Sequence, residues 1–328
     1  MASGIYRSAP AGVSERAPAA SVRAVLGRSL FAAAAVAVSL VAPQAVSSQD
    51  EGTEMLAVIS GNEMIGRLKN PSALFFDEVK KRIYVADTGN RRLVSFDNEY
   101  KYLAELYLEE FDLPSGIVKD SAGLFYVVDS GKAAILRIDV RNNVVEPIEP
   151  SGVPEAGEPF IPGRIAIDGS DTLYVVDKLN KRILALDGDG VFVAQYTVPG
   201  DERLTGFADV RVAENGEVYA IDTLSGTIYI FDGSGEVVKS FSRRGTGRGM
   251  LRFPTSIAVD RNGHIYVADR HGGMVLVYDR SGIFLRAISR PGFREGELSY
   301  PFYIYLDGEG RLYTIDVTRI QVFKGEKG

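Results

Sequence analysis

The 328-residue chain contains no cysteine and only two histidines. Without thiols it has no disulfides, no thiol nucleophile, no redox couple and no thiolate metal site. A basic surface is missing as well: the formal net charge is −6 and the pI is near 5.2. That balance excludes a generally cationic nucleic-acid surface. There is no Gly-x-Ser-x-Gly elbow and no His-Glu-x-x-His helix, so two common hydrolase layouts are absent. The glycine-rich stretch 245–249 imitates a phosphate loop, but no helical pattern follows it, and it reads as a linker.

Residues 1–48 differ in composition from the rest. Arg7, Arg16, Arg23 and Arg28 precede an apolar run at 30–42, which is followed by small residues up to Ser48. The run has thirteen residues, short of the roughly 18–20 that a membrane-spanning helix needs. A basic region, a short apolar segment and small residues at the exit describe a secretory signal peptide, with cleavage expected after Ala45 or Ser48. The competing reading is an uncleaved anchor, which would be the chain's one contact with a membrane. No cysteine follows the apolar run, so a lipoprotein-type anchor is excluded. The expectation is an exported protein, periplasmic or extracellular, with residues 49–328 forming one domain.

The remainder is built from a repeated unit, first seen at 70–106. It reads as four short strands at 72–76, 83–86, 92–96 and 102–106. Each is rich in aliphatic, β-branched or aromatic residues and is bounded by turn residues such as Asp77, Gly89-Asn90 and Asp97-Asn98. The tetrapeptide ending at Asp87 recurs in related form at Asp129, Asp177, Asp222, Asp269 and Asp316, at spacings of 42, 48, 45, 47 and 47 residues. A four-stranded unit at that period cannot bury both of its faces alone and is the mark of a propeller blade. The fold expected is all-β, a six-bladed β-propeller of four-stranded antiparallel blades. The sixth repeat lacks its fourth strand, and residues 53–59 resemble the outer strand of the fifth repeat. An N-terminal strand is therefore expected to complete the last blade and close the ring.

The six anchor aspartates suggest a ring of carboxylates, yet one per blade is spread around the ring. Each is expected to accept backbone N–H or arginine hydrogen bonds at a turn. Residues that break the repeat are more informative. Two residues after the proline that opens strand one, the blades carry Ala73, Gly116, Arg164, Asp209, Ser256 and Tyr303; two further on stand Phe75, Val118, Ala166, Arg211, Ala258 and Tyr305. These are innermost-strand positions, where an unpaired charge costs several kcal/mol. An ion pair between Arg164 and Asp209 lining a wet channel is the structural reading. A polar pocket for a small anionic or carbohydrate ligand is the functional one. The loops before strand one and between strands two and three share a face, to which Arg243, Arg248, Arg270 and His271 belong; with acids such as Glu158 and Glu202 they suggest a bipolar binding face. His264 reads as a solvated turn residue.

The chain resembles the NHL-repeat propellers. The resemblance rests on Asp87, Asn90, Arg92 and Leu93, again on Asp177, Asn180, Arg182 and Ile183, and on the linker 245–254. It covers about residues 53–324. The repeats containing Asp129, Asp222 and Asp269 lack Asn-x-Arg, and the fourth has Phe207 and Ala213 in place of the proline and the first aspartate. The resemblance implies the fold and leaves the activity open, because such propellers host unrelated functions. The zinc-dependent amidating lyase sharing this fold uses several histidine ligands, more than this chain supplies. Streptogramin-lyase-like propellers rely on a histidine at the active face, for which His271 is the single candidate. The expectation is a binding or scaffold module for a protein, peptide or cell-envelope component, with no cofactor and no nucleic acid. The alternative is a lactonase- or lyase-like hydrolase holding Ca²⁺ or Mg²⁺ on channel carboxylates.

Overall fold

Alternating apolar residues with turn residues every few positions form six four-stranded sheets in the computed structural model, which describes residues 53–63 and 65–325. The expected signal peptide lies outside the described residues. Blade one comprises Pro71–Asp77, Arg82–Asp87, Arg92–Asp97 and Tyr102–Tyr107, in that order from the axis outward. The innermost strands of the next five blades are Pro114–Lys119, Pro162–Ile167, Asp209–Val212, Pro254–Val259 and Pro301–Leu306. Neighbouring blades stack face to face. Leu74, Val85 and Val94 of blade one are buried with Tyr313 and Ile315 of blade six, while Tyr84 meets Phe125 of blade two edge-on at 4.9 Å. Burying each such large side chain contributes roughly 1.5–3 kcal/mol.

The ring closes as the repeat pattern requires. Met55–Ile59 is the outer strand of blade six, antiparallel to Arg319–Lys324, with Ile59 opposite Ile320 and Met55 opposite Phe323. The Lys324 amide donates to the Glu54 carbonyl at 2.8 Å, so pairing continues to the edge of the blade.

The anchor aspartates tie strand two to the linker that enters the same blade. Asp129 accepts from the amides of Asp112, Leu113, Gly131 and Lys132, and Asp222 from Thr205, Leu224 and Ser225. In blades one and three, Asn-x-Arg takes part of that role: Asn90 and Arg92 both reach Asp87 at 2.8 Å, and Asn180 and Arg182 reach Asp177 at 2.8 and 2.9 Å. A second lock joins the strand-two tyrosine to the aspartate ending strand one. Tyr126, Tyr174, Tyr266 and Tyr313 donate to Asp120, Asp168, Asp260 and Asp307 at 3.0–3.3 Å. Blade four has Ala213 there, and Tyr219 turns to Glu217 at 2.9 Å instead.

Candidate functional site

The axis is lined by the innermost strands, and the repeat-breaking residues meet there. Tyr303 of blade six is 3 % exposed and donates to the Leu74 carbonyl of blade one at 3.1 Å. Two guanidinium groups lie over its ring, Arg164 at 4.7 Å and Arg211 at 5.0 Å from the centroid. Arg164, from blade three, donates to the carbonyls of Ser72 and Ser115 on blades one and two. Arg211, from blade four, donates to the Ile304 carbonyl of blade six at 3.0 Å. Side chains from three blades thus bridge the channel, each cation resting on an aromatic face.

Asp209 supplies the balancing charge, and its partner differs from the expected one. The ion pair is with Arg211 at 3.1 Å, two residues along the same strand, and not with Arg164. The other carboxylate oxygen accepts from the Ser256 hydroxyl and from the Ile257 amide of blade five at 3.1 Å. Residues two apart on a strand share a face, and Arg164 instead leans across the axis onto Tyr303. Burial, the largest single influence, would lower the Arg211 guanidinium, but Asp209 together with Tyr303 and Tyr305 outweighs it and holds Arg211 above its usual range. For Arg164 burial dominates and pushes the guanidinium down, with Asp209 offsetting only part.

This bridge separates two cavities. The lower one, about 130 Å³, is lined by Arg211, Tyr305 and aliphatic residues ending the inner strands. The upper mouth, about 370 Å³, is lined by Arg164, Ala208, Thr255, Arg270 and Phe302. Lys178 is close enough to Arg164 to feel its charge, and burial together with that charge holds the ammonium below the usual lysine range. No carboxylate lines this mouth among the described residues. The side chains of Lys178 and Arg270 have no hydrogen-bonding or ionic partner among the described residues, and Arg164 donates to protein through Nη1 alone.

The other candidates lie elsewhere. His271 stacks on Phe253 with ring centroids 4.6 Å apart. Arg243 donates to the Gly282 carbonyl in the outer hairpin of blade five, and Arg248 lies over Phe284 on that blade's outer strand. Both belong to the peripheral rim. Their linker starts at an outer strand, and its first residues stay with that edge before the chain turns inward. Sequence reasoning places Lys178, which follows the anchor Asp177 directly, among the many cations of the loop face without singling it out. Aligning that position across blades gives Thr88, Ser130, Lys178, Thr223, Arg270 and Val317, so its two cations were visible.

A carboxylate-held divalent ion does not fit. No group of three or more histidine or carboxylate residues among the described residues could hold a metal. Of the two inner-strand carboxylates, Asp209 is committed to Arg211, Ser256 and Ile257, and Asp77 to Lys119 and the amides of Val79 and Lys80.

Comparison with known proteins agrees with the architecture. The family model described as a 6-bladed beta-propeller matches residues 200–305. No curated protein gives a significant match. Among solved structures, a virginiamycin B lyase from Staphylococcus aureus superposes with a TM-score of 0.59 at 12% identity, covering 83% of this chain and 99% of that one. A streptogramin B lyase gives 0.58 at 14% identity, covering 78% of this chain and 79% of that one. A gluconolactonase from Xanthomonas campestris gives 0.59 at 16% identity, covering 78% of this chain and 86% of that one. At these identities the likeness is one of fold.

Proposed function

We propose that the chain is an exported propeller of the NHL-repeat type that binds a carboxylate-bearing peptide, protein or cell-envelope component at its upper channel mouth. The observation that carries this reading is the convergence of Arg164 and Arg270 on one cavity, with Lys178 near Arg164 and no carboxylate among the described lining residues. Uncompensated cations around a recess favour an anion, and a guanidinium engages a carboxylate through two parallel hydrogen bonds. The matching Asp-Asn-Arg geometry of blades one and three supports the NHL assignment. The basic, apolar and small-residue order of residues 1–48 supports export.

The test is calorimetric titration with trialanine, comparing the free and the amidated C-terminus. The free carboxylate is expected to bind, the amide to bind far more weakly, and added salt to weaken the contact. Arg270→Ala and Lys178→Ala are each expected to reduce affinity without moving the melting temperature, because neither side chain has a hydrogen-bonding or ionic partner among the described residues. Equal affinity for both peptides, or variants that bind as the native protein does, would overturn the reading.

A further inference from the structure

Blade one breaks the pattern of its neighbours on the opposite face of the ring. Asp77 precedes Tyr84 by seven residues, whereas Asp120, Asp168, Asp260 and Asp307 precede their tyrosines by six. The extra residue lies in the turn after Asp77, and Asp77 makes no hydrogen bond to Tyr84. Its carboxylate instead accepts from the amides of Val79 and Lys80 and from the Lys119 ammonium of blade two at 2.6 Å. With Asp77 taken by these partners, Tyr84 is the one strand-two tyrosine whose hydroxyl has no hydrogen-bond partner among the described residues. Lys119 is itself an outlier. The matching positions hold Phe76, Ile167, Val212, Val259 and Leu306, and Lys119 is nearly buried at 8 % side-chain exposure.

Both residues line a cleft of about 720 Å³ between blades one and two. It is open because the side chains that fill the equivalent groove elsewhere are missing. Between blades two and three, Arg137 crosses the groove to Asp189 and the Gly188 carbonyl. Between blades three and four, Tyr196 fills it, 5.8 Å from Tyr174 and 5.6 Å from Phe231. Blade one has Ser95 in the place of Arg137 and Leu106 in the place of Tyr196.

We propose that this cleft binds an uncharged small molecule with a planar aromatic body and a carbonyl or hydroxyl oxygen. The volume lies within the range of small-molecule sites, and Phe75, Phe125, Tyr84 and Tyr305 provide aromatic walls. Acidic and basic side chains are nearly balanced around it, and the Lys119 charge is already met by Asp77, so nothing selects a charged ligand. The ammonium retains N–H donors beyond the one given to Asp77, and the free Tyr84 hydroxyl adds another. These groups suit an acceptor oxygen at the inner end of a flat ring system.

The test uses 6-propionyl-2-(dimethylamino)naphthalene, a neutral fluorophore with a keto oxygen, titrated against the full chain. Saturable binding at one site with blue-shifted emission is expected. Leu106→Tyr, which copies the residue that blade three itself uses, is expected to abolish it. Tyr84→Phe breaks no protein hydrogen bond and is expected to weaken it about threefold to tenfold, the loss of one hydrogen bond. Arg270→Ala at the upper mouth is expected to leave it unchanged, which separates this site from the carboxylate site. Absence of saturable binding would overturn the proposal, as would binding that survives both cleft substitutions. Tighter binding of the anionic 1-anilinonaphthalene-8-sulfonate at the same site would overturn the assignment to an uncharged ligand.

Discussion

Asp209 is fully buried and uses both oxygens, one on Arg211 and one on the Ser256 hydroxyl and Ile257 amide of the next blade. Asp209→Ala leaves Arg211 and the Ile257 amide without it and is expected to cost about 3–5 kcal/mol in denaturant unfolding. A double-mutant cycle should return strong coupling between Asp209 and Arg211, and markedly weaker coupling between Asp209 and Arg164. The reverse ranking would contradict the geometry. The sequence marked Arg164, Asp209, Arg211, Tyr303 and Tyr305 as outliers at the axis but not the pairing of the charges, because the direction of a long side chain depends on what it can rest upon, here Tyr303. A second buried pair gives a pH signature. Burial alone would raise the Asp77 carboxyl, but Lys119 and the amides of Lys80 and Val79 outweigh it and hold it below the usual range. A folded value below the unfolded one makes the contribution complete above about pH 3.9 and lost as pH falls through the folded value. The stability difference between the native protein and Asp77→Asn should therefore be constant from about pH 7 to 5 and shrink below about pH 4. Denaturant titrations that show a constant difference down to about pH 2 would refute the linkage.

Strands and their order were legible in the sequence, because period-two alternation and turn residues repeat six times around an aspartate whose partners are local amides. The closing strand was legible too, since the sixth repeat lacks an outer strand and residues 53–59 match one. A chain beginning at Gly61 should accordingly melt at lower temperature than one beginning at Gln49, or aggregate, because it leaves Arg319–Lys324 an open edge. Equal melting temperatures and equal solubility would show that the N-terminal strand is dispensable. The cleft beside blade one went unread although its causes are in the sequence. One extra residue between Asp77 and Tyr84 and one lysine at position 119 are small departures, and an alignment anchored on strand two averages them away. Their effect appears only when two blades are laid against each other, where an absent Tyr or Arg becomes an open groove.

For the molecule as a whole, the bridge at Tyr303 gives the ring two separate mouths, and the interblade cleft gives it a third recess. The loop face expected from sequence proved less uniform than its composition suggests: Arg243 and Arg248 belong to the outer rim, whereas Arg270 reaches the axis. Radial position is set by how a linker crosses from an outer strand to an inner one, and repeat phase alone does not encode it. Ring closure also bears on the order in which the chain can fold. Met55 pairs with Phe323, so the strand translated before any blade has no partner edge until the last strand exists. Until then the blades form an open arc, and contacts so distant along the chain form slowly because the entropy of bringing the ends together comes before any gain. A chain halted inside the sixth blade would keep two adhesive edges exposed, so the ring stays open until Arg319–Lys324 has been made.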